Sequence, residues 1–198
     1  MIDAKIQFSE NELNLAADID FILTKNRIIE KVYSLFGLLA DTYVKLGKDV
    51  LPQETISNSP KISRGENYKG LPYVMLDYPR FFTKEDVLAI RTMFWWGNDL
   101  SITLHLKGKF KPADPAMFFK LNESDPSNWY LQLSDDEWLH HKTAISHKRV
   151  IDLTSGEMNN LMIRKTAFVK IARFYPLQQW CNADKFFEKS FSSLIQNL

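Results

Sequence analysis

The runs IRTMFWW (90–96) and LSITLHL (100–106) are separated by only three residues, GND (97–99). Both runs are rich in aromatic, β-branched and leucine residues, which are enriched in strands, and glycine with asparagine favours a tight turn. In the second run apolar residues at even positions alternate with polar residues at odd positions, so the even side is expected to face the core and the odd side to face outward. The stretch predicts a β-hairpin within an antiparallel sheet.

The length of the turn sets which side chains share a face of this hairpin. A three-residue loop pairs Trp96 with Leu100 and places apolar residues opposite apolar residues, whereas a two-residue loop would turn over every side chain of one strand. The three-residue register is therefore preferred. It places Trp95 and Arg91 on the second face of the hairpin, with Arg91 opposite His105.

Helices are predicted on both sides of this β region. The S-x-x-E pattern at Ser9 has the form of a capping box and predicts a short helix near residue 10. Apolar residues recur every three or four positions over 25–47, which predicts a long amphipathic helix that ends at Gly47. Asn182 is a suitable N-cap for a C-terminal helix whose apolar stripe runs to Leu198.

The remaining segments divide the chain into regions of different character. Residues 51–70 contain proline, glycine and serine at irregular spacing and are expected to form a long connection. A strand is expected over 71–78, closed by Pro79, and a helical turn over 84–89. Residues 138–150 are ambiguous, whereas 149–153 are consistent with a short strand or an extended run.

Further along, a helix is expected over about 156–164, and 167–175 fits a strand or the end of that helix. The strand is favoured because β-branched and aromatic residues dominate the segment. The fold class expected is α+β, with an antiparallel sheet packed against an N-terminal long helix and a C-terminal helix. One domain is expected over 1–198: helical over 1–50, mainly β over 71–153 and mixed over 154–198.

Composition excludes several classes of protein. The 198 residues include 25 Lys+Arg and 24 Asp+Glu, and 45% are hydrophobic, which argues against a disordered chain. A single cysteine, Cys181, excludes an internal disulfide framework. No apolar run approaches the roughly 18 residues of a membrane-spanning helix, and no signal peptide is evident, so a cytoplasmic protein is expected.

The formal net charge of +1 conceals an uneven distribution. Residues 1–60 carry −3 and residues 61–137 carry −1, whereas residues 138–175 carry seven basic and two acidic residues, or +5. A positive segment of this kind favours an anionic partner. The alternative is an ordinary solvated surface, which charge runs usually form.

Familiar catalytic and cofactor motifs are incomplete. Gly65 and Gly70 have the spacing of a P-loop, but Leu71 and Pro72 stand where lysine and serine or threonine are required. The spacing among the four histidines does not bring two ring nitrogens to one zinc ion, and the sequence contains no G-x-G-x-x-G or G-x-S-x-G motif. The sequence therefore predicts no cofactor and no metal.

The strongest candidate for a binding site is the segment over 61–80 together with the second face of the hairpin. Side chains able to bind a ligand are concentrated there around two glycines, directly before a strand, and loops at the edge of a sheet often carry ligands. The structural alternative is that Arg64 pairs with Glu66 and Arg80 with Asp77 to anchor the connection. The candidate ligand-binding residues are Arg64, Glu66, Asn67, Tyr68, Lys69, Asp77, Arg80, Arg91, Trp95 and His105.

The run KISRGENYKGLPYVMLDYPRFF (61–82), with TKNRIIEKVYSLFG (24–37) before it and RTMFWWGNDLSITLHLKGKF (91–110) after it, resembles an uncharacterised family of small bacterial proteins. The resemblance covers most of residues 20–110. It implies a bacterial, cytoplasmic protein of unassigned activity, and no catalytic residue is carried over from it.

The leading functional hypothesis is a non-catalytic binding domain for an anionic small molecule or a protein partner. One alternative is an enzyme of unassigned class, for example a hydrolase, that uses Glu66, Asp77 or His105 as acid–base groups; it requires these groups to converge on one pocket. A nucleic-acid binder is the second alternative, although a sequence pI of 7.8 argues against it. No membrane partner is expected, and the sequence leaves the oligomeric state open.

Overall fold

The computed structural model describes residues 6–124, 129–163 and 168–198. Within them the chain forms six α-helices and seven β-strands. The helices are α1 (Glu10–Ala17), α2 (Ile19–Gly47), α3 (Gln53–Ile56), α4 (Ala116–Ser124), α5 (Ser155–Ile163) and α6 (Ala183–Gln196). The strands are β1 (Lys61–Tyr68), β2 (Leu71–Phe82), β3 (Val87–Trp95), β4 (Asp99–Lys107), β5 (Tyr130–Gln132), β6 (His147–Arg149) and β7 (Phe168–Pro176).

All seven strands belong to one sheet, in the order β1-β2-β3-β4-β7-β5-β6, and every neighbouring pair is antiparallel. The long helix α2 and the C-terminal helix α6 pack against this sheet. The α+β class, the antiparallel sheet and both flanking helices are therefore confirmed.

One side of the sheet, the helix face, holds the main apolar core. The buried side chains of β2, β3 and β4 at alternate positions meet Val32, Phe36, Leu39 and Tyr43 of α2. Their spacing of three and four residues makes one stripe of a 3.6-residue helix, which explains why α2 lies flat on the strands. Aromatic rings from α6 complete the layer, and Phe191 stacks on Tyr43 with ring centroids 3.8 Å apart.

The opposite side, the loop face, is covered by irregular chain. Residues 133–146, which we call the covering loop, cross the second side of β3, β4 and β7. The side chains at odd positions of β4 were expected to point outward, but Ser101, Thr103 and His105 are all buried. The expectation failed because period-two alternation distinguishes the two faces of a strand without indicating what covers each face.

The hairpin of β3 and β4 has the expected faces but a different register. Phe94 lies opposite Leu100 and Arg91 lies opposite Thr103, so the pairing of Arg91 with His105 is wrong. The register is displaced by two residues from the one predicted, and an even displacement leaves each side chain on its original face. Trp95 accordingly lies on the loop face, as expected.

The connection predicted over 51–70 is largely ordered secondary structure. It contains α3 and the whole of β1, which pairs with β2 through the two-residue turn at Lys69 and Gly70. Both turn residues have positive φ, 53° and 83°, which matches the twist of a hairpin. Strand β1 was missed because Gly65 and the charged residues around it lack the apolar alternation of a half-buried strand.

Other expectations have mixed outcomes. The capping box at Ser9, the helix in α5 and the strand in β7 are confirmed. Strand β2 continues through Pro79 to Phe82, and residues 84–86 form no helical turn. A 3₁₀ turn at Val150–Asp152 lies where a short strand or an extended run was expected, and α4 lies in a region where no helix was predicted. Helix α6 begins after Asn182, whose side chain makes no capping hydrogen bond.

Candidate functional site

Strand register brings four ionisable side chains together on the loop face. Asp77 of β2 lies directly opposite Arg91 of β3. His105 of β4 lies directly opposite Lys170 of β7. Along its strand, each of the four residues is next to residues whose side chains lie in the core beneath α2 and α6. Because side chains alternate between the two faces of a sheet, all four point toward the covering loop.

Arg91 joins the sheet to the covering loop. Its Nε and Nη2 donate to Oδ1 and Oδ2 of Asp77 at 2.7 and 2.9 Å, a two-point contact that fixes the guanidinium plane. The third nitrogen, Nη1, lies 3.0 Å from Nε2 of His140. Because a guanidinium has no acceptor, Nε2 of His140 must accept and the imidazole proton resides on Nδ1.

Lys170 holds the covering loop from below. Its Nζ donates to the main-chain oxygens of Glu137 and Leu139 at 3.0 and 2.6 Å. Burial lowers the pKa of this amine to about 7, with Arg91 acting in the same direction. Glu137 and Leu139 lie outside any helix or strand. The amine of Lys170 supplies the hydrogen-bond donor that their main-chain oxygens need.

The two histidines of the cluster are neutral at pH 7. Burial, followed by the nearby charges of Lys170, Arg91 and Lys107, lowers the pKa of His105 to about 3. Burial and the charges of Lys170 and Arg91 also lower the pKa of His140 far below its usual value. His105 Nε2 lies 3.2 Å from Glu137 Oε1 without the geometry of a hydrogen bond. Because the imidazole is neutral at pH 7, this contact is not an ion pair.

Tyr68 connects the β1–β2 hairpin to the same loop. Its hydroxyl accepts from the main-chain N–H of His140 at 2.7 Å and shares a hydrogen bond of 2.8 Å with Nδ1 of His141. The main-chain oxygen of Tyr68 accepts from Nε1 of Trp95 at 3.2 Å. Burial raises the pKa of the Tyr68 hydroxyl, so the group stays protonated at neutral pH.

Between the hairpin and the covering loop lies a cleft of about 440 Å³, which we call the hairpin–loop cleft. Its polar lining comes from both sides: Lys61, Ser63, Tyr68, Tyr73, Asp77, Arg91 and His140. The side chains of Lys61, Ser63 and Tyr73 make no hydrogen bond or ion pair with any residue that the structure describes. The cleft thus presents an ammonium group and two hydroxyls that are available to a ligand.

The structure assembles half of the sequence-predicted site. Tyr68, Asp77 and Arg91 line the hairpin–loop cleft. Trp95 and His105 lie on the same face beside it: Trp95 contacts Tyr68, and His105 shares a small void with Arg91.

The other five candidates lie elsewhere. Arg64 and Glu66 line a separate cavity of about 90 Å³ beside α2. Asn67 accepts from the main-chain N–H of Gly70, which places it and the exposed Lys69 in the hairpin turn. Arg80 donates through Nε to the main-chain oxygen of Ser59 at 2.7 Å, so it anchors the connection before β1.

Two expectations about this segment are corrected by the pairing. Asp77 pairs with Arg91 rather than Arg80, because the two face each other across adjacent strands. Glu66 lies 3.8 Å from Lys25 of α2 rather than pairing with Arg64. Glu66, Asp77 and His105 therefore do not form one acid–base group: the first lines the cavity beside α2, and the second is held by Arg91.

Within the described part of 138–175, the basic side chains are paired, buried or placed over an aromatic ring. Lys148 pairs with Glu157 at 2.7 Å, and Arg149 pairs with Asp152 at 2.6 Å. Lys170 and Arg173 are buried. The ammonium of Lys142 lies over the Tyr130 ring at 4.2 Å, whereas Arg164 and Lys165 lie outside the described residues.

Sequence reasoning missed several residues of the site. Lys61 and Ser63 were included only in a segment expected to be irregular, and His140 lies in the stretch that was left ambiguous. A usable signal was the Lys69–Gly70 pair, which favours a two-residue hairpin turn and would have revealed β1. The chain has no comparable signal for the covering loop, because its position depends on contacts with strands distant in sequence.

Within the described ranges no three His, Cys, Asp or Glu side chains come together in a way that could hold a metal ion. The same ranges contain no helix with both the length and the apolar character needed to cross a membrane. Comparisons of the chain with protein-family models, with curated proteins and with solved structures found no match.

Proposed function

We propose that this chain binds a small anionic molecule in the hairpin–loop cleft. The observation that carries the proposal is the set of polar groups without partners that lines it. Lys61 supplies a positive charge, and Ser63 and Tyr73 supply hydroxyls. These are the donors that a carboxylate or phosphate oxygen requires.

The charge around the cleft supports an anion rather than a cation. The charged side chains that line the cleft are the two basic residues Lys61 and Arg91 against the single acidic residue Asp77. Asp77 is the carboxylate of the lining, and its charge is matched by the two-point contact with Arg91. An incoming anion would therefore meet a net positive field in a partly desolvated site, where charge acts more strongly than in bulk water.

The internal bonding of the cluster favours binding over chemistry. Both oxygens of Asp77 accept from Arg91, and Nε2 of His140 also interacts with Arg91. Groups held in this way position a surface more readily than they exchange protons with a substrate. The volume of about 440 Å³ also lies within the range typical of small-molecule sites, about 300–1,000 Å³.

The test is a thermal unfolding series with inorganic phosphate, sulfate, citrate, succinate and a nucleoside monophosphate, followed by calorimetric titration of any compound that stabilises the chain. A compound present at 100 times its Kd is expected to raise Tm by roughly 5–10 °C for a chain of this size. Replacing Lys61 by alanine, or Ser63 by alanine, should weaken binding at least about tenfold, because each variant removes a direct donor.

Lys45→Ala is the matched control, because Lys45 is an exposed lysine on α2, which packs on the opposite side of the sheet. Its affinity should equal that of the wild type. The proposal fails if none of the five compounds raises Tm. It also fails if Lys61→Ala and Lys45→Ala weaken binding equally, since the effect would then reflect net charge alone.

A further inference from the structure

The N-terminal part of the chain exposes an unusual amount of apolar surface. Residues 6–24, which we call the N-terminal arm, comprise α1 and the first turns of α2. Helix α1 buries none of its residues against the rest of the described chain. The exposed large apolar side chains of the arm are Ile6, Phe8, Leu13, Leu15, Ile19, Phe21, Ile22 and Leu23.

Part of this apolar surface forms a stripe that points away from the core. At about 100° per residue, Ile19, Ile22 and Leu23 fall within an arc of about 100°. The core-facing residues of α2, from Val32 to Tyr43, are centred about 120° around the helix from that arc. Ile19 is 71% exposed, so the packing of α2 on the sheet does not account for the stripe.

The exposed area of the arm is large enough for a stable interface. The exposed fractions of its eight large apolar residues add up to a little over four fully exposed side chains. At roughly 100 Å² of apolar surface for each large aliphatic side chain, this is about 450 Å². Each partner of a standard protein–protein interface buries about 800 Å² in total, of which about 450 Å² is apolar.

Charge along the same helix indicates which partner fits. The arm contains Glu10, Glu12, Asp18 and Asp20 and no lysine or arginine, whereas residues 25–31 of α2 carry three basic residues, Lys25, Arg27 and Lys31, and one acidic residue, Glu30. Asp20 and Arg27 lie on the outer flank of the apolar stripe, whereas on the other side Asp18 caps the helix and Lys25 lies 3.8 Å from Glu66 of the same chain. The outer flank is therefore acidic at its N-terminal end and basic at its C-terminal end.

We propose that the N-terminal arm docks against the same arm of a second copy of this chain, with the two α2 helices antiparallel about a two-fold axis between Ile22 and Leu23. In an antiparallel pair each flank meets the same flank of its partner, so Asp20 of each copy faces Arg27 of the other. A two-fold interface requires such self-complementarity. This inference is independent of the hairpin–loop cleft, which lies on the other face of the sheet.

Charge also argues against a parallel pair of arms and against an anionic membrane surface. A parallel pair would place acidic ends against acidic ends and basic ends against basic ends, which is unfavourable. An anionic lipid surface would repel an arm with four carboxylates and no basic side chain, whereas helices that bind such membranes carry lysine and arginine on the polar face.

The test is the mass of the full chain, measured by light scattering and analytical ultracentrifugation between 1 and 500 μM. The expected result is a reversible dimer of twice 23.1 kDa that dissociates on dilution. Leu23→Glu should weaken the dimer at least about 100-fold, because it places two carboxylates at the centre of the apolar contact. Leu38→Glu is the matched control: Leu38 is on the same helix and 69% exposed, but outside the arm, and this variant should dimerise normally.

Charge reversal tests the antiparallel register. Asp20→Arg alone and Arg27→Asp alone should each weaken the dimer about tenfold or more, and the double variant should restore it. Circular dichroism and Tm must show that each variant is folded. A wild-type chain that stays monomeric at 500 μM overturns the proposal, as does a dimer that Leu23→Glu leaves intact. Failure of the double variant to restore dimerisation excludes the antiparallel register, and binding of a monomeric wild-type chain to anionic vesicles would instead assign the arm to membranes.

Discussion

The two faces of the sheet belong to the same strands but are covered by different kinds of structure. The helix face is sealed by two regular helices and an almost continuous layer of aliphatic and aromatic side chains. The loop face is sealed by irregular chain that is held by Arg91, Lys170 and Tyr68 through directed polar contacts. Apolar burial is non-directional and tolerates sliding, whereas hydrogen bonds fix position. The helix face therefore supplies the stability of the fold, and the loop face supplies a defined arrangement of functional groups.

The largest effect is expected on the helix face. Phe36→Ala removes a fully buried ring that packs edge-on against Phe187, with centroids 6.2 Å apart. The free energy of unfolding in urea should fall by about 3–5 kcal/mol, the usual range for a large core truncation. Leu38→Ala, an exposed position on the same helix, should change it by no more than about 0.5 kcal/mol. A loss below about 1 kcal/mol for Phe36→Ala would show that this face does not dominate stability.

A smaller effect is expected when the polar contact of the loop face is broken. Asp77 and Arg91 are only 11% and 20% exposed, so Asp77→Ala leaves a poorly solvated guanidinium without its carboxylate. The expected loss is about 3 kcal/mol. The double variant Asp77→Leu with Arg91→Met should regain most of it, because neither charge then remains to be desolvated. If the double variant is as unstable as the single one, the ion pair itself stabilises the fold.

The smallest expected effect is the contribution of His105, on the loop face, to the pH dependence of stability. Because the pKa of folded His105 is about 3, only the unfolded chain gains this proton as the pH falls below about 6.5. Stability is therefore lost with falling pH, at about 1.4 kcal/mol per pH unit for one proton. The free energy of unfolding of His105→Asn minus that of the wild type should be about 2 kcal/mol larger at pH 5 than at pH 8. Urea unfolding at both pH values measures this, and parallel profiles would contradict it.

The same contrast explains what the sequence could predict. Helix α2 and strand β4 follow from periodicity, because regular elements with one apolar side repeat the same local pattern along the chain. The face of each β3 and β4 side chain also followed, since an even error in register preserves it. These predictions depend on neighbours within a few residues.

The candidate site could be predicted only in part because it depends on long-range contacts. Asp77 and Arg91 were singled out as charged residues within two predicted strands, but their pairing required the β2–β3 register. His140 and Lys170 acquired a role only when the covering loop crossed β7. No local pattern specifies which irregular segment will cover a polar sheet face.

The two outer strands carry a further consequence for the behaviour of the chain in concentrated solution. A strand with an unpaired side can recruit strands from other molecules and start aggregation. Here the outermost strand on one side is β6, only three residues long with the basic pair Lys148 and Arg149, and on the other side is β1, which carries charges and an irregular register after Gly65. Short, charged or irregular edge strands of this kind discourage edge-to-edge pairing with strands of other molecules, so both edges of the sheet resist extension.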